Sequence, residues 1–382
     1  MNKNQIRSLV ALALLAAGPL FTSAQSQKKN WYNLDLKADS VFGISTEKAY
    51  NELLKGKKST TVIVGILDSG VDGVHEDLKS VMWVNKKEKA GNGKDDDKNG
   101  YIDDVNGWSF LGGKDGNVNQ ETLELTRLIR RDAARFANTT EENVSAKDRP
   151  AFEAYLAMKK DFDKGLAEAK TGLQRFETVK NAVESIAKKI GKENPTVEDV
   201  KNFEAEGQIE NSIKNTLIRA LANMDYKTFY DTQIKPGYNH FYDQVNYNYN
   251  LTFNPRNIVG DNENNDNERI YGNVDSKGPD PSHGTHVAGI VGADRNNDLG
   301  IKGVADNVLL MAVRNVPNGD ERDKDVANAI RYAVDNGAKV LNMSFGKAYS
   351  WDKKVVDDAV KYAISKDVLL VHAAGNDNKN LD

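Results

Sequence analysis

Apolar residues recur along this chain with two periods. From Val62 to Leu67 they form an unbroken, β-branched run, "VIVGIL", which stops at "DSG" and predicts a strand buried on both faces. Leu309 to Val313 predicts a second such strand, after which Val326, Ala329, Ile330, Ala333 and Val334 fall on one helical face. "AKVLNMSFG" predicts the next strand. Val355, Val356, Ala359, Val360, Ala363 and Ile364 mark the next helix, and "DVLLVHAAGN" a further strand. Strands and helices alternating through short links make an α/β fold, an open parallel sheet with helices on both faces. Ligands of such sheets sit beyond the carboxyl ends of the strands, where Asp68, Ser344 and Asn376 fall.

A segment rich in Lys, Glu and Ala interrupts this alternation. Phe162, Leu166, Ala169, Leu173, Phe176, Val179, Val183, Ile186 and Ile190 step by three or four residues and line one face of a long helix. Pro195 ends it. Thr196 with Asp199 resembles a capping pair that opens one more helix, with Val200, Phe203, Ile209, Ile213 and Leu217 on its apolar face. The expectation is a helical hairpin that covers itself, with a partner-binding or substrate-gating arm as the alternative. From Pro236 to Ser282, Gly, Asn and Asp dominate and predict a long ordered loop. The chain thus divides into a signal segment (1–24), a first part of the core (25–119), the helical insert (120–235) and the rest of the core (236–382).

Composition changes the picture in three ways. A chain of 382 residues with 39% hydrophobic content can bury a large core, and a formal charge of −4 argues against a general nucleic-acid binder. Lys3 and Arg7 precede an apolar run from Leu9 to Phe21 and small residues ending at Ala24, so a secretory signal peptide cleaved before Gln25 is expected. That places the protein outside the cytoplasm, secreted, periplasmic or at the cell surface, and no later apolar run is long enough to span a bilayer. There are no cysteines, so an exported chain relies on its core or on bound ions for stability.

The candidate chemistry gathers around "PSHGTHVAGIVGA". Gly284, Ala288, Gly289, Gly292 and Ala293 suit a helix packed tightly against its neighbours, with His283 at its exposed start. A carboxylate at a strand end, such as Asp68, can orient an imidazole for general-base work and stabilise the imidazolium that forms. An amide at another strand end, such as Asn376, can donate to a developing oxyanion. A zinc reading of His283 and His286 lacks further ligands at a recognisable spacing, and His286 is expected buried and hydrogen-bonded.

"VGILDSGVDGVHEDL", "SHGTHVAGIVGA", "LNMSFG" and "VHAAGND", in this order, closely resemble the subtilisin-like serine peptidases. The resemblance implies a peptidase of proteins or peptides in which Asp68 orients His283, His283 is the general base and Asn376 serves the oxyanion hole. It further implies that Ser344, Phe345 and Gly346 pair with the substrate backbone, and that Ala373, Ala374 and Gly375 wall the primary specificity pocket. Three features depart from the family. No serine here follows a Gly-Thr pair, so the chain reads as a piece cut before its nucleophile and, as written, inactive; a non-catalytic peptide-binding scaffold is the alternative. The insert makes the gap between Asp68 and His283 far longer than usual. Too few residues separate the signal segment from Asp68 for the usual inhibitory propeptide.

Two loops suggest structural calcium. "GNGKDDDKNGYIDDVNGW" carries Asp95, Asp97 and Asn99 at alternate positions, then a glycine, the carbonyl of Tyr101, and Asp103 and Asp104. It imitates the first half of a calcium-binding loop but lacks the closing glutamate, so another ligand must complete the shell. By resemblance, "NNDLGIKGVA" is a second calcium loop, with Asn297, the carbonyls of Leu299 and Ile301, and Asp77 as ligands.

Overall fold

The computed structural model describes Lys28 and residues 30–376. The expected signal segment and its cleavage point lie outside these residues. Among the described residues the strands are β1 (Val62–Asp68), β2 (Gly107–Ser109), β3 (Gly112–Gly113), β4 (Gly116–Asn117), β5 (Val308–Arg314), β6 (Val340–Met343) and β7 (Leu369–His372). The longer helices are α1 (Glu124–Phe136), α2 (Arg149–Ile190), α3 (Val197–Asn202), α4 (Gly207–Leu221), α5 (Lys235–Asp243), α6 (Ser282–Gly292), α7 (Asp323–Asp335) and α8 (Lys353–Ser365).

The chain divides into two compact units. One comprises the described residues up to Leu128 and those from Thr252 onward, and it holds a parallel sheet in the order β2-β5-β1-β6-β7. β1 is central because its run is apolar on both faces. Val64 and Ile66 pack with Leu310, Ala312 and Ala288 of α6 on one side, while Leu67 packs with Met311, Val313, Leu341, Ile330 of α7 and Ala359 of α8 on the other. Helices therefore cover both faces, as the alternation predicted. Gly65 lets β1 approach its cover: a Cβ there would lie 2.8 Å from Leu341 Cδ2 and 3.3 Å from Ala333 Cβ.

The second unit, Ile129–Leu251, is helical. Its core joins Val183 and Ile186 of α2 to Val200 of α3, Ile213 and Leu217 of α4, and Phe229 and Ile234. Thr196 and Asp199 form the capping box the sequence suggested. Two expectations differ from what is observed. The helix predicted through Val200 and Leu217 is broken, since Phe203 is extended (ψ 130°) and Gly207 takes a left-handed φ of 75°, leaving α3 and α4 separate. The stretch expected to open a long loop at Pro236 is instead α5, followed by a π-helical turn over Gln244–Asn248. Its Gly and Asn content hid a helix that packing supports: Phe241 fills the space at Gly172, Tyr249 that at Gly165, and Phe176 that at Gly237, each within 2.3 Å of where a Cβ would stand. The helical unit accordingly runs from 129 to 251 rather than from 120 to 235.

Candidate active site

β1 delivers Asp68 to the carboxyl end of the sheet, and the first turn of α6 brings His283 against it. Two glycines permit the approach. A Cβ on Gly284 would lie 2.1 Å from Gly70 O and 3.0 Å from Asp68 Cβ, and Gly70 holds a φ of 125° where the chain turns away from the sheet. His283 Nδ1 sits 2.7 Å from Asp68 Oδ1, which also accepts the Ser69 N–H at 2.7 Å. Because a carboxylate only accepts, Nδ1 carries the proton of this bond and Nε2 is left as the basic nitrogen. Asp68 is 2% exposed, whereas the His283 side chain is 60% exposed. A dry anion thus holds an imidazole that water and solutes can reach.

Arg314 lies opposite Asp68 in the parallel register, and its Nε donates to Ser69 O at 2.9 Å. It also binds Ser109 Oγ at 3.4 Å and the Val118 carbonyl. Burial pulls its guanidinium down to about 10, with Asp275 opposing, so it stays charged at neutral pH.

The remaining sequence-predicted residues lie at the same end of the sheet. Ser344–Gly346 follow β6; Asn342 Nδ2 donates to Ser344 Oγ at 2.9 Å, and Phe345 meets His372 edge to face at 6.0 Å. Ala373 N–H donates to Met343 O at 3.1 Å, and Ala373, Ala374, Gly375 and Asn376 follow β7 as an exposed segment with Gly375 at φ 85°. His286 differs from expectation. It is exposed, because three residues along a helix turn it only some 60° from the solvent-facing His283.

The acidic loop gathers some of its predicted ligands and turns others away. Asp95 and Asp97 come together with Glu88, ligand atoms all within 4.8 Å. Glu88 is buried, its Oε1 accepts the Asp97 N–H at 2.9 Å, and its Oε2 has no partner. Asn99 Oδ1 accepts the Tyr101 N–H at 2.7 Å. Asp103 instead binds the N–H groups of Asn92 and Gly93 at 3.1 and 2.8 Å. Asp104 is fully buried and accepts from Asn85, Asn99 and Tyr332 at 3.0, 2.9 and 2.8 Å; burial nevertheless raises its carboxyl. Sequence reasoning missed Glu88, which precedes the repeat and carries no spacing signal.

In the second loop, Asp77 is buried and its oxygens accept from Asn297 Nδ2 at 2.9 Å and Ile301 N–H at 3.0 Å. Leu299 N–H donates to Asn297 Oδ1 at 3.0 Å. At Lys302 the main chain is clasped by Tyr32, whose hydroxyl accepts from Lys302 N–H and donates to Lys302 O, both at 2.9 Å. Asn33, also unanticipated, donates to Lys302 O at 3.0 Å and keeps a buried Oδ1 without a partner.

Comparison with known proteins gives the same direction. A model of the subtilase family matches residues 162–382, a span that begins inside the helical unit and includes His283 but not Asp68. Thermophilic serine proteinase of Bacillus sp. (strain AK1) is 44% identical over 100 residues, 26% of this chain and 24% of that protein. Thermitase of Thermoactinomyces vulgaris is 44% identical over 95 residues, 25% of this chain and 33% of its own. Minor extracellular protease Epr of Bacillus subtilis (strain 168) is 40% identical over 99 residues, 26% of this chain and 15% of its own. The chain spans about a third or less of the length of these relatives.

Proposed function

Because the chain belongs to the subtilase family, we propose that it serves the hydrolysis of peptide bonds, with His283 as general base and Asp68 as the carboxylate that orients it. The observation that carries this reading is the 2.7 Å contact between a buried carboxylate and an exposed imidazole at the carboxyl end of a parallel sheet. With Nδ1 committed to Asp68, Nε2 faces outward, able to take a proton from an attacking hydroxyl and return it to the leaving amine. Asp68 stabilises the imidazolium formed between these steps. The 382 residues hold no Gly-Thr-Ser, so the nucleophile is proposed as a serine that such a segment supplies.

The substrate is proposed to be an extended peptide. β1 pairs with β5 on one edge and β6 on the other, and the three end together at Asp68, Arg314 and Met343, so that the segments after β5 and β6 leave the sheet on either side of the end of β1. A peptide strand beyond the end of β1 could bond to main-chain groups of Ser344–Gly346 on one side and of the segment after β5 on the other. Asn376 is proposed to donate to the oxyanion, and Ala373, Ala374 and Gly375 to wall the pocket for the side chain before the scissile bond. Action outside the cytoplasm is proposed from the N-terminal pattern of Lys3, Arg7 and the Leu9–Phe21 run, and from the relative named as extracellular. No helix among the described residues is long and apolar enough to cross a membrane. A partner for the helical unit remains part of the proposal.

Calcium is proposed as the structural ion. Its fit rests on an all-oxygen donor set and on the orphaned, buried Glu88 Oε2 beside Asp95 and Asp97. Glu88, Asp95, Asp97 and the loop around Asn99 and Tyr101 would hold one ion, and Asp77 with Asn297, Leu299, Ile301 and the adjacent Asn33 a second. A bound cation neutralises carboxylates that otherwise repel.

The test is turnover of fluorogenic peptides by the purified gene product against its His283→Ala variant. A fall of about 10⁴-fold with unchanged circular dichroism is expected. Undiminished hydrolysis would remove His283 from the base role, and a wild-type product that binds peptides without cleaving them would favour a scaffold.

A further inference from the structure

Past Asp68, β5 and β6 end, and the chain goes on without strand structure as residues 315–321 and 344–347, the first bonding back to Asp68 O through Asn315 and Val316 N–H. We infer that the cleft between these two segments is closed after three residues by a buried ion cluster centred on Lys347, so that this side of the site grips no more than three residues of an extended peptide. The inference rests on the peptide-cleft reading above and adds a length limit to it.

The β5 side has few main-chain groups to offer. Asn318 N–H donates to Asn119 O at 2.8 Å, Glu121 N–H donates to Asn318 O at 3.0 Å, and Asp320 N–H donates to Thr122 O at 3.4 Å. These groups are taken up by residues 119–122, and the main chain of Gly319 is what is left to meet a peptide. Glycine is required there: φ is 142°, and a Cβ would stand 2.3 Å from Glu121 O. Beyond Gly319 the carbonyls are already engaged. Asp320 O and Glu321 O accept from Arg127 Nη2 at 3.1 and 3.3 Å, and Glu321 O accepts from Lys347 Nζ at 2.6 Å.

On the β6 side, Ser344, Phe345 and Gly346 are followed at once by Lys347. Its ammonium reaches Glu321 O across the cleft and also binds Glu124 Oε2 at 2.8 Å and Asp323 Oδ1 at 2.7 Å, which uses all three of its protons. Glu124 in turn bonds Arg127 at 2.5 Å, and Lys347, Glu124, Arg127 and Asp323 are all nearly excluded from solvent. A fourth peptide residue would have to part the lysine from two buried carboxylates. Breaking such a pair outweighs what one added main-chain hydrogen bond returns.

The experiment is an NMR titration of the protein with acetylated, amidated alanine peptides of two to six residues. Affinity should rise roughly threefold to tenfold on going from two residues to three, as each added main-chain bond contributes, and then stay within about twofold to six. In Lys347→Ala, checked for folding by circular dichroism, the six-residue peptide should outbind the three-residue one; Glu124→Gln, which keeps shape and removes charge, should do so more weakly. Affinity that climbs steadily through six residues in the unmodified protein would overturn the length limit alone. Absence of binding at every length would overturn the cleft reading and the limit with it.

Discussion

Replacing Glu88 by glutamine should move stability in opposite directions with and without calcium. Without the ion, the Glu88, Asp95 and Asp97 carboxylates face one another within 4.8 Å. At an effective dielectric constant of about 20, two charges at that distance repel by roughly 3 kcal/mol. The Asp97 N–H on Glu88 Oε1 and the Asn85 amide on Asp97 Oδ2 offset part of this, so relief of about 1–3 kcal/mol is a reasonable scale for removing the Glu88 charge. The glutamine amide also gives the unpartnered position of Oε2 a donor that can face Asp95 and Asp97. Glu88→Gln should therefore melt higher than the parent in chelator. With calcium at about 100 times the parent's dissociation constant, the parent gains roughly 2.7 kcal/mol from the site, and the variant should lose most of that. Thermal unfolding followed by circular dichroism, in chelator and in excess calcium, gives the four midpoints. Equal calcium shifts in both proteins would remove Glu88 from the ligand set, and a parent midpoint indifferent to chelator would remove the ion.

Other outcomes follow from packing and charge. Gly172→Ala exchanges a helix-propensity gain of about 1 kcal/mol for a Cβ 2.3 Å from the Phe241 ring, an overpacking that costs about 1–3 kcal/mol, so urea unfolding of the helical unit should show net destabilisation. Burial holds the Glu321 carboxyl up at about 7, against the pull of Lys347, while an unfolded glutamate titrates near 4.3. The folded state thus binds this proton more tightly. Its contribution is complete below about pH 4 and is lost as pH rises through about 7, and Glu321→Gln should flatten a decline of up to roughly 4 kcal/mol over that window in denaturant titrations. Replacing residues 129–251 by a short Gly/Ser linker should leave the sheet unit folded by circular dichroism, because closure entropy changes slowly with loop length. A deletion that starts at 120 should instead unfold it, since it removes Glu121 and Glu124, the buried partners of Arg322 and Lys347, together with the Arg127 they also pair.

What could be read without coordinates was whatever depends on local order. The apolar run at Val62–Leu67, the 3.6-residue stripes of α2, α7 and α8, and the Thr196–Asp199 cap are properties of neighbours in sequence, and their periods specify element type directly. Asp68, His283, Ser344 and Asn376 were legible as strand-end and helix-start residues for the same reason. Tertiary structure alone decided the rest, because each case is a meeting of residues far apart along the chain. α5 looked like a loop until Gly172 of α2 gave its Phe241 somewhere to pack and its own Gly237 received Phe176 of α2. Glu88 became a partner of Asp95 and Asp97 only when the loop folded back, while Asp103 was drawn off by the N–H groups of Asn92 and Gly93. Lys347 carried no signal at all; its meaning lies in Glu124, Glu321 and Asp323 closing around it in a dry interior, where an ammonium must find anions.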